Sequence, residues 1–228
     1  MVVLKAIFMI LLTVLTYIIS RKLQIKYKNP LLNPSLISAI LIITILVLLN
    51  LDYSDYMAGG KWINYMLNCT VVALALPLYK YWETIKRHAK VIFTSVLVST
   101  LINFFLIYLT LKVFGYSKEI IVTLLPKSIT AAVGLQVSHQ LGGIDAIAVM
   151  FITFTGIIGS MFGEYFINIF KFKNSIARGL FYGNSAHGFG TAKAFEFDIE
   201  DGTFSSIGMI LTAVLSSIII PILVLILY

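Results

Sequence analysis

The stretch Arg178–Glu196, RGLFYGNSAHGFGTAKAFE, decides the reading of this chain. It sets Asn184, Ser185, His187, Thr191 and Lys193, with Gly183, Gly188 and Gly190, between segments apolar enough to span a bilayer. Polar, glycine-broken backbone survives at membrane depth only where protein or a water-filled cavity satisfies it, so the stretch is expected to line a site. A second break, LLPKSITAAVGLQVSHQLGG at Leu124–Gly143, places a proline, a lysine and hydroxyls inside an apolar run. Two such breaks in one small membrane protein point to transport.

The composition agrees. Of 228 residues, 59% are hydrophobic and 12% charged, where a soluble domain has about a quarter charged, and the mean hydropathy is +0.96. One membrane domain over residues 1–228 is expected. The formal charge of +7 does not point to nucleic acid, because the basic residues sit in short clusters between apolar runs with no aromatic-interleaved stripe. The lone Cys69 has no internal disulfide partner and reads as a small packed hydrophobe. The opening MVVLKAIFMILLTVLTYIISRK has no small-residue cleavage site and reads as an uncleaved span.

Apolar runs of membrane-spanning length are Val3–Ser20, Pro34–Leu51, Trp62–Tyr79, Val91–Phe114, Ile144–Phe170 and Ser205–Leu227. Basic clusters orient them. Arg21, Lys22, Lys26 and Lys28 follow the first span and Lys80, Lys86, Arg87 and Lys90 the third, so these loops are expected in the cytoplasm and the N-terminus outside. The fifth span ends beside Lys171, Lys173 and Arg178, which requires the break at 118–143 to begin and finish on one side. It then reads as a re-entrant hairpin with its tip near Pro126 and Lys127, each half too short to cross about 30 Å. Residues 175–198 form the matching hairpin from the opposite side, which together make an inverted repeat. The rival is that each break is one discontinuous crossing helix. The expected fold is thus an all-α integral membrane protein of about six transmembrane helices plus two broken or re-entrant hairpins. Residues 1–79 serve as scaffold and a dimer face, and 80–228 form a transport-like region.

In the first break Lys127, Ser128 and Thr130 follow a proline at the start of a new helical run, where unpaired amides, an ammonium and hydroxyls suit an anion. In the second, glycines permit close backbone approach while Asn184, Ser185, His187, Thr191 and Lys193 supply donors and acceptors. The bland reading of this break is a small-residue seam for helix packing. His187 and Glu164 are candidates for proton coupling. Asn103, Gln136 and His139 read as packing or interfacial groups, and His88 as a solvated loop residue. No enzyme, metal or cofactor motif holds up: H-E-x-x-H and G-x-S-x-G are missing, and Ser185 and His187 point about 200° apart on a helix.

PKSIT with VSHQLGG, the segment IARGLFYGNSAHGFGTAKAFE, and ALALPLYK at Ala73–Lys80 resemble the LrgB/CidB family of bacterial membrane proteins, closer to its CidB branch. The second motif matches the family pattern through Gly183, Ser185, His187, Gly190, Thr191, Ala192, Lys193 and Ala194, while the chain reads ITAAV where the family often has a second proline. The resemblance implies two competing descriptions. One is a holin- or antiholin-like modulator of murein hydrolase activity and cell lysis, acting in the bacterial cell membrane with a small CidA/LrgA-type membrane partner. The other is similar to the LrgB-like domain of the plant plastid glycolate/glycerate translocator. It makes the protein a carrier of small monocarboxylates such as pyruvate, glycolate or lactate. The paired polar breaks favour the carrier, with Lys127 holding the carboxylate and Asn184, Ser185, His187 and Thr191 the keto or hydroxyl end.

Overall fold

The computed structural model describes residues 2–27, 29, 32–73 and 75–228; Lys28 and Leu74 of the stretches discussed above lie outside the described residues. All regular structure among the described residues is helical: α1 Val2–Tyr27, α2 Pro34–Leu48, α3 Tyr53–Ala73, α4 Ala75–Lys80, α5 Trp82–Val113, α6 Lys118–Leu124, α7 Ala131–Gln140, α8 Asp145–Ile169, α9 Ser175–Phe197 and α10 Ile199–Leu227. The helices gather into two compact units, Met1–Leu76 and Pro77–Tyr228.

Four helices among the described residues are long and apolar enough to cross a bilayer: α1, α5, α8 and α10. These answer to four of the six expected spans. The second expected span is shorter than foreseen, a helix of 15 residues, about 22 Å against a hydrocarbon core of about 30 Å. Asn33 starts it, accepting from the Ser35 and Leu36 amides with Pro34 at the first position, and Asn50 follows its end in the left-handed region at φ 49°. The third expected span falls on α3 and α4, on either side of Leu74, which lies outside the described residues.

In the first unit, Met9 of α1 is buried with Ile42 and Leu46 of α2. Gly59 lets α3 approach α1 closely, since a Cβ there would lie 2.8 Å from that of Met9. Lys5 and Asp55 form an ion pair between the same two helices. Cys69, expected to be packed, is exposed.

The second unit holds both polar breaks, and each is a hairpin. In the first, α6 and α7 are joined by turns over 125–130. The chain reverses there: Gly134 packs against the Pro126 carbonyl, and the Ile144 amide donates to Thr123 Oγ1 at 2.8 Å. α9 is likewise two helices meeting at a kink, where Ala186 and His187 leave helical dihedrals. Gly190 stands against the Tyr182 carbonyl, and the rings of Tyr182 and Phe197 stack at 6.1 Å between centroids. In a straight helix those two rings would be about 22 Å apart. A single crossing helix is therefore not what either break forms.

The first hairpin has its base between the end of α5 and the start of α8, and the second between the end of α8 and the start of α10. They accordingly enter from opposite ends of α8. α10 returns to the end where the first hairpin begins: Tyr228 meets the Tyr108 ring edge-on at 6.0 Å, and Lys118 Nζ lies 5.0 Å from the Tyr228 ring. Arg178 and Asp201 close the base of the second hairpin, with Nε to Oδ2 at 2.7 Å and Nη2 to Oδ1 at 2.8 Å. Ile102, Leu106, Leu109, Ile218 and Leu225 face outward, as a lipid-facing surface requires.

Candidate functional site

A cavity of about 880 Å³ lies between α5, α8 and the two hairpins. One face of α5 supplies a polar stripe, His88, Ser95, Ser99 and Asn103, at helical spacing. Thr155 and Gly159 of α8, Lys127 and Ser128 of the first hairpin tip, and Asn184 and Ser185 of the second complete the polar lining, with Phe172, Leu180 and Phe181 as apolar wall. The cavity runs from His88 and Asn174, at the start of α5 and the base of the second hairpin, to Asn103 and Lys127. Asn103 lies ten residues before the end of α5 at Val113, about 15 Å along the helix and hence about half of a hydrocarbon core. Beyond it Phe104, Ile107 and Tyr108 are buried with Leu124, Leu125 and Ile129.

Both hairpin tips reach α5 on adjacent turns. Ser128 Oγ donates to Asn103 Oδ1 at 3.4 Å, and Lys127 Nζ stands 3.5 Å from Ser128 Oγ. Asn184 Nδ2 donates to Ser99 Oγ at 3.2 Å while its Oδ1 accepts from Thr212 of α10 at 3.0 Å. The carboxamide of Asn184 is thereby fixed between two helices. Lys127 has a different environment: among the described residues no carboxylate stands in the lining, and its half-buried ammonium meets the Ser128 hydroxyl at long range. Such a group favours a small anion beside it.

The remaining residues singled out from sequence sit behind the cavity or away from it. His187 is buried with φ 39° and ψ −126°, a conformation costing a side chain about 1–3 kcal/mol that persists only where surroundings impose it. Its Nε2 meets the Ile152 carbonyl at 3.0 Å, and the ring lies so near Gly156 that a Cβ there would come within 2.6 Å of Cε1. Thr191 donates to the His187 carbonyl and pairs with Ser205 of α10, both at 2.9 Å. Ser185, unlike these, is in the cavity lining, and its Oγ donates to the Phe181 carbonyl at 2.6 Å. Gly190 is taken up by the close approach of the hairpin legs, Gly188 faces open space, and Lys193 pairs with Glu196 at 3.0 Å. Thr130 precedes α7 without a side-chain cap bond, and Glu164 is on the exposed face of α8.

Five of the lining positions named above escaped the sequence reading. Ser95, Ser99 and Thr155 are single hydroxyls in apolar runs, where such residues commonly bond back to their own helix, as Ser99 does to the Val96 carbonyl. Asn103, taken for a packing group, lines the inner end, and the spacing of 95, 99 and 103 was the signal. His88, taken for a solvated loop residue, is helical and borders the other end.

These features define a polytopic, all-helical membrane protein in which two oppositely inserted hairpins meet around a largely apolar cavity that carries a stripe of polar side chains. The chain belongs to the LrgB-like family, which matches residues 13–226. It is 59% identical over 225 residues to the holin-like protein CidB of Staphylococcus epidermidis, covering 99% of this chain and 98% of that one. The holin-like protein CidB of Staphylococcus aureus is 58% identical over 224 residues, 98% of each chain. The uncharacterized protein YxaC of Bacillus subtilis is 37% identical over 219 residues, 96% of this chain and 95% of that one. No solved structure matches the chain.

Proposed function

We propose that this protein is a holin-like membrane protein of the CidB kind, which modulates murein hydrolase activity and cell lysis by controlling what crosses the cell membrane. The observation that carries this reading is its 59% identity, over nearly the whole of both chains, to a protein named holin-like CidB. The positions of the basic clusters support an N-terminus facing outward, with Lys86 and Lys173 in the cytoplasm. A small CidA/LrgA-type membrane protein and a second copy of this chain are the expected partners. The test is expression in cells that lack their own relative, with and without the small partner. Changed autolysis and murein hydrolase activity support the reading, and unchanged lysis in both strains removes it.

A second reading, a carrier of small monocarboxylates, is favoured by the cavity. A lesion passes solutes by size and has no use for a lone ammonium held at a hairpin tip, whereas a carrier binds its cargo at such a site. In this reading Lys127 and Ser128 hold the carboxylate, Asn184 and Ser185 the other end, and His187, Gly190 and Thr191 shape the hairpin that presents them. Proteoliposomes separate the two. Saturable pyruvate uptake lost in Lys127→Ala supports the carrier; non-saturable leakage of unrelated solutes, unchanged in that variant, supports the lesion.

A further inference from the structure

We propose that Asn103 sets the charge selectivity of the cavity: its neutral carboxamide, at the meeting point of α5 and the first hairpin tip, keeps the Lys127 ammonium free for an anionic ligand. The inference rests on the carrier reading and adds to it a residue that selects by charge.

Three groups converge at the inner end of the cavity. Lys127 Nζ lies 3.5 Å from Ser128 Oγ, which lies 3.4 Å from Asn103 Oδ1. Both contacts are at the weak end of hydrogen bonding, so the ammonium keeps most of its donor capacity unspent. A carboxylate at position 103 would have the same shape as the carboxamide, yet it would bring a negative charge to the wall the ammonium already faces. The two would pair, and the one lysine among the lining residues would be spent on the protein's own charge. An isosteric change of a single atom thus separates an anion-accepting cavity from an internally neutralised one. Position 103 also lies at the end of the Ser95, Ser99, Asn103 stripe that is nearest to Lys127 and Ser128.

The test uses the full chain in detergent with Cys69→Ser and a reporter Ser95→Cys, whose maleimide labelling is followed with added propionate, pyruvate or the neutral isostere propionamide. In the parent, the two anions slow labelling saturably and propionamide does not. Asn103→Asp raises the anion concentration needed for protection at least about tenfold, while Asn103→Ser, neutral and smaller, keeps protection. Should Asn103→Asp fail to fold, the relocated charge in Lys127→Gln/Asn103→Lys decides, with return of protection supporting the proposal and its absence overturning it. Equal protection of Asn103→Asp and parent overturns it, as does loss in Asn103→Ser, which would mean that shape governs. A parent protected by neither anion removes the carrier reading itself, before any variant at 103 is compared, and the inference falls with it.

Discussion

Gly134 and Gly190 hold the same place in two hairpins: Gly134 is turned against the carbonyl of Pro126 and Gly190 against that of Tyr182, at equal distance along the chain. The correspondence continues to the tips, where Ser128 and Asn184 occupy matching positions and reach Asn103 and Ser99 on adjacent turns of α5. A close approach of backbone to backbone leaves no side chain to move aside, so a β-branched residue at Gly190 must part the hairpin legs. Gly190→Val is expected to cost at the upper end of the about 1–3 kcal/mol typical of overpacking, read as a lowered melting temperature in detergent. Gly188→Ala, in the same turn but facing open space, should stay within about 0.5 kcal/mol of the parent.

The pair at the base of the second hairpin is bidentate, with Asp201 only 1% and Arg178 28% exposed. Removing one partner of a fully buried pair costs about 3–5 kcal/mol. Because Arg178 keeps some contact with solvent, Asp201→Ala is expected to cost about 2 kcal/mol by the same reasoning. Thermal melts of both single variants and of Arg178→Asp/Asp201→Arg read this out. A double variant no more stable than the worse single would show that the pairing itself matters little.

Lys118, Asp145 and Tyr228 belong to one end of the second unit, and Lys171 to the other. Single cysteines at these four positions, in a Cys69→Ser background, are expected to label with an impermeant maleimide in a three-to-one pattern in intact cells. Labelling of Lys118→Cys and Asp145→Cys from opposite sides would mean that the first break crosses the membrane.

Asn184 joins Ser99 and Thr212, each bond contributing about 0.5–1.5 kcal/mol. A double-mutant cycle between Asn184→Ala and Thr212→Val should give a coupling energy of about 1 kcal/mol. Additive effects would show that the carboxamide is free in the cavity wall.

The hairpins were legible in the sequence because their causes are local. Pro126 and the glycines around His187 interrupt apolar runs that would otherwise continue, and the halves left on each side are too short to cross. The α5 stripe was not, since Ser95 and Ser99 look the same in a sequence whether they face a cavity or bond their own helix. The setting of His187 was equally hidden. Its ring is held by a main-chain carbonyl of α8 beside Gly156, and a carbonyl carries no letter in the sequence. The second expected span is shorter than foreseen for another reason: hydropathy marks apolar runs but not the left-handed Asn50 that follows α2.

Both hairpins have supports made at different times. The first meets Asn103 of α5 as soon as its tip forms, but Ile121, Leu125 and Val137 are buried in one cluster with Ala213, Ile220 and Val224 of α10, which are translated later. The second has its supports divided by chain order. Ser99 and Ile152 precede it, but Asp201, Ser205 and Thr212 are translated after it. Until α10 leaves the ribosome, Arg178 lacks its counter-ion and Gly183 lacks the Ser205 backbone that closes on it. During biosynthesis both hairpins therefore wait for a helix that comes last, and the arrival of α10 is the step that commits the chain to its final form.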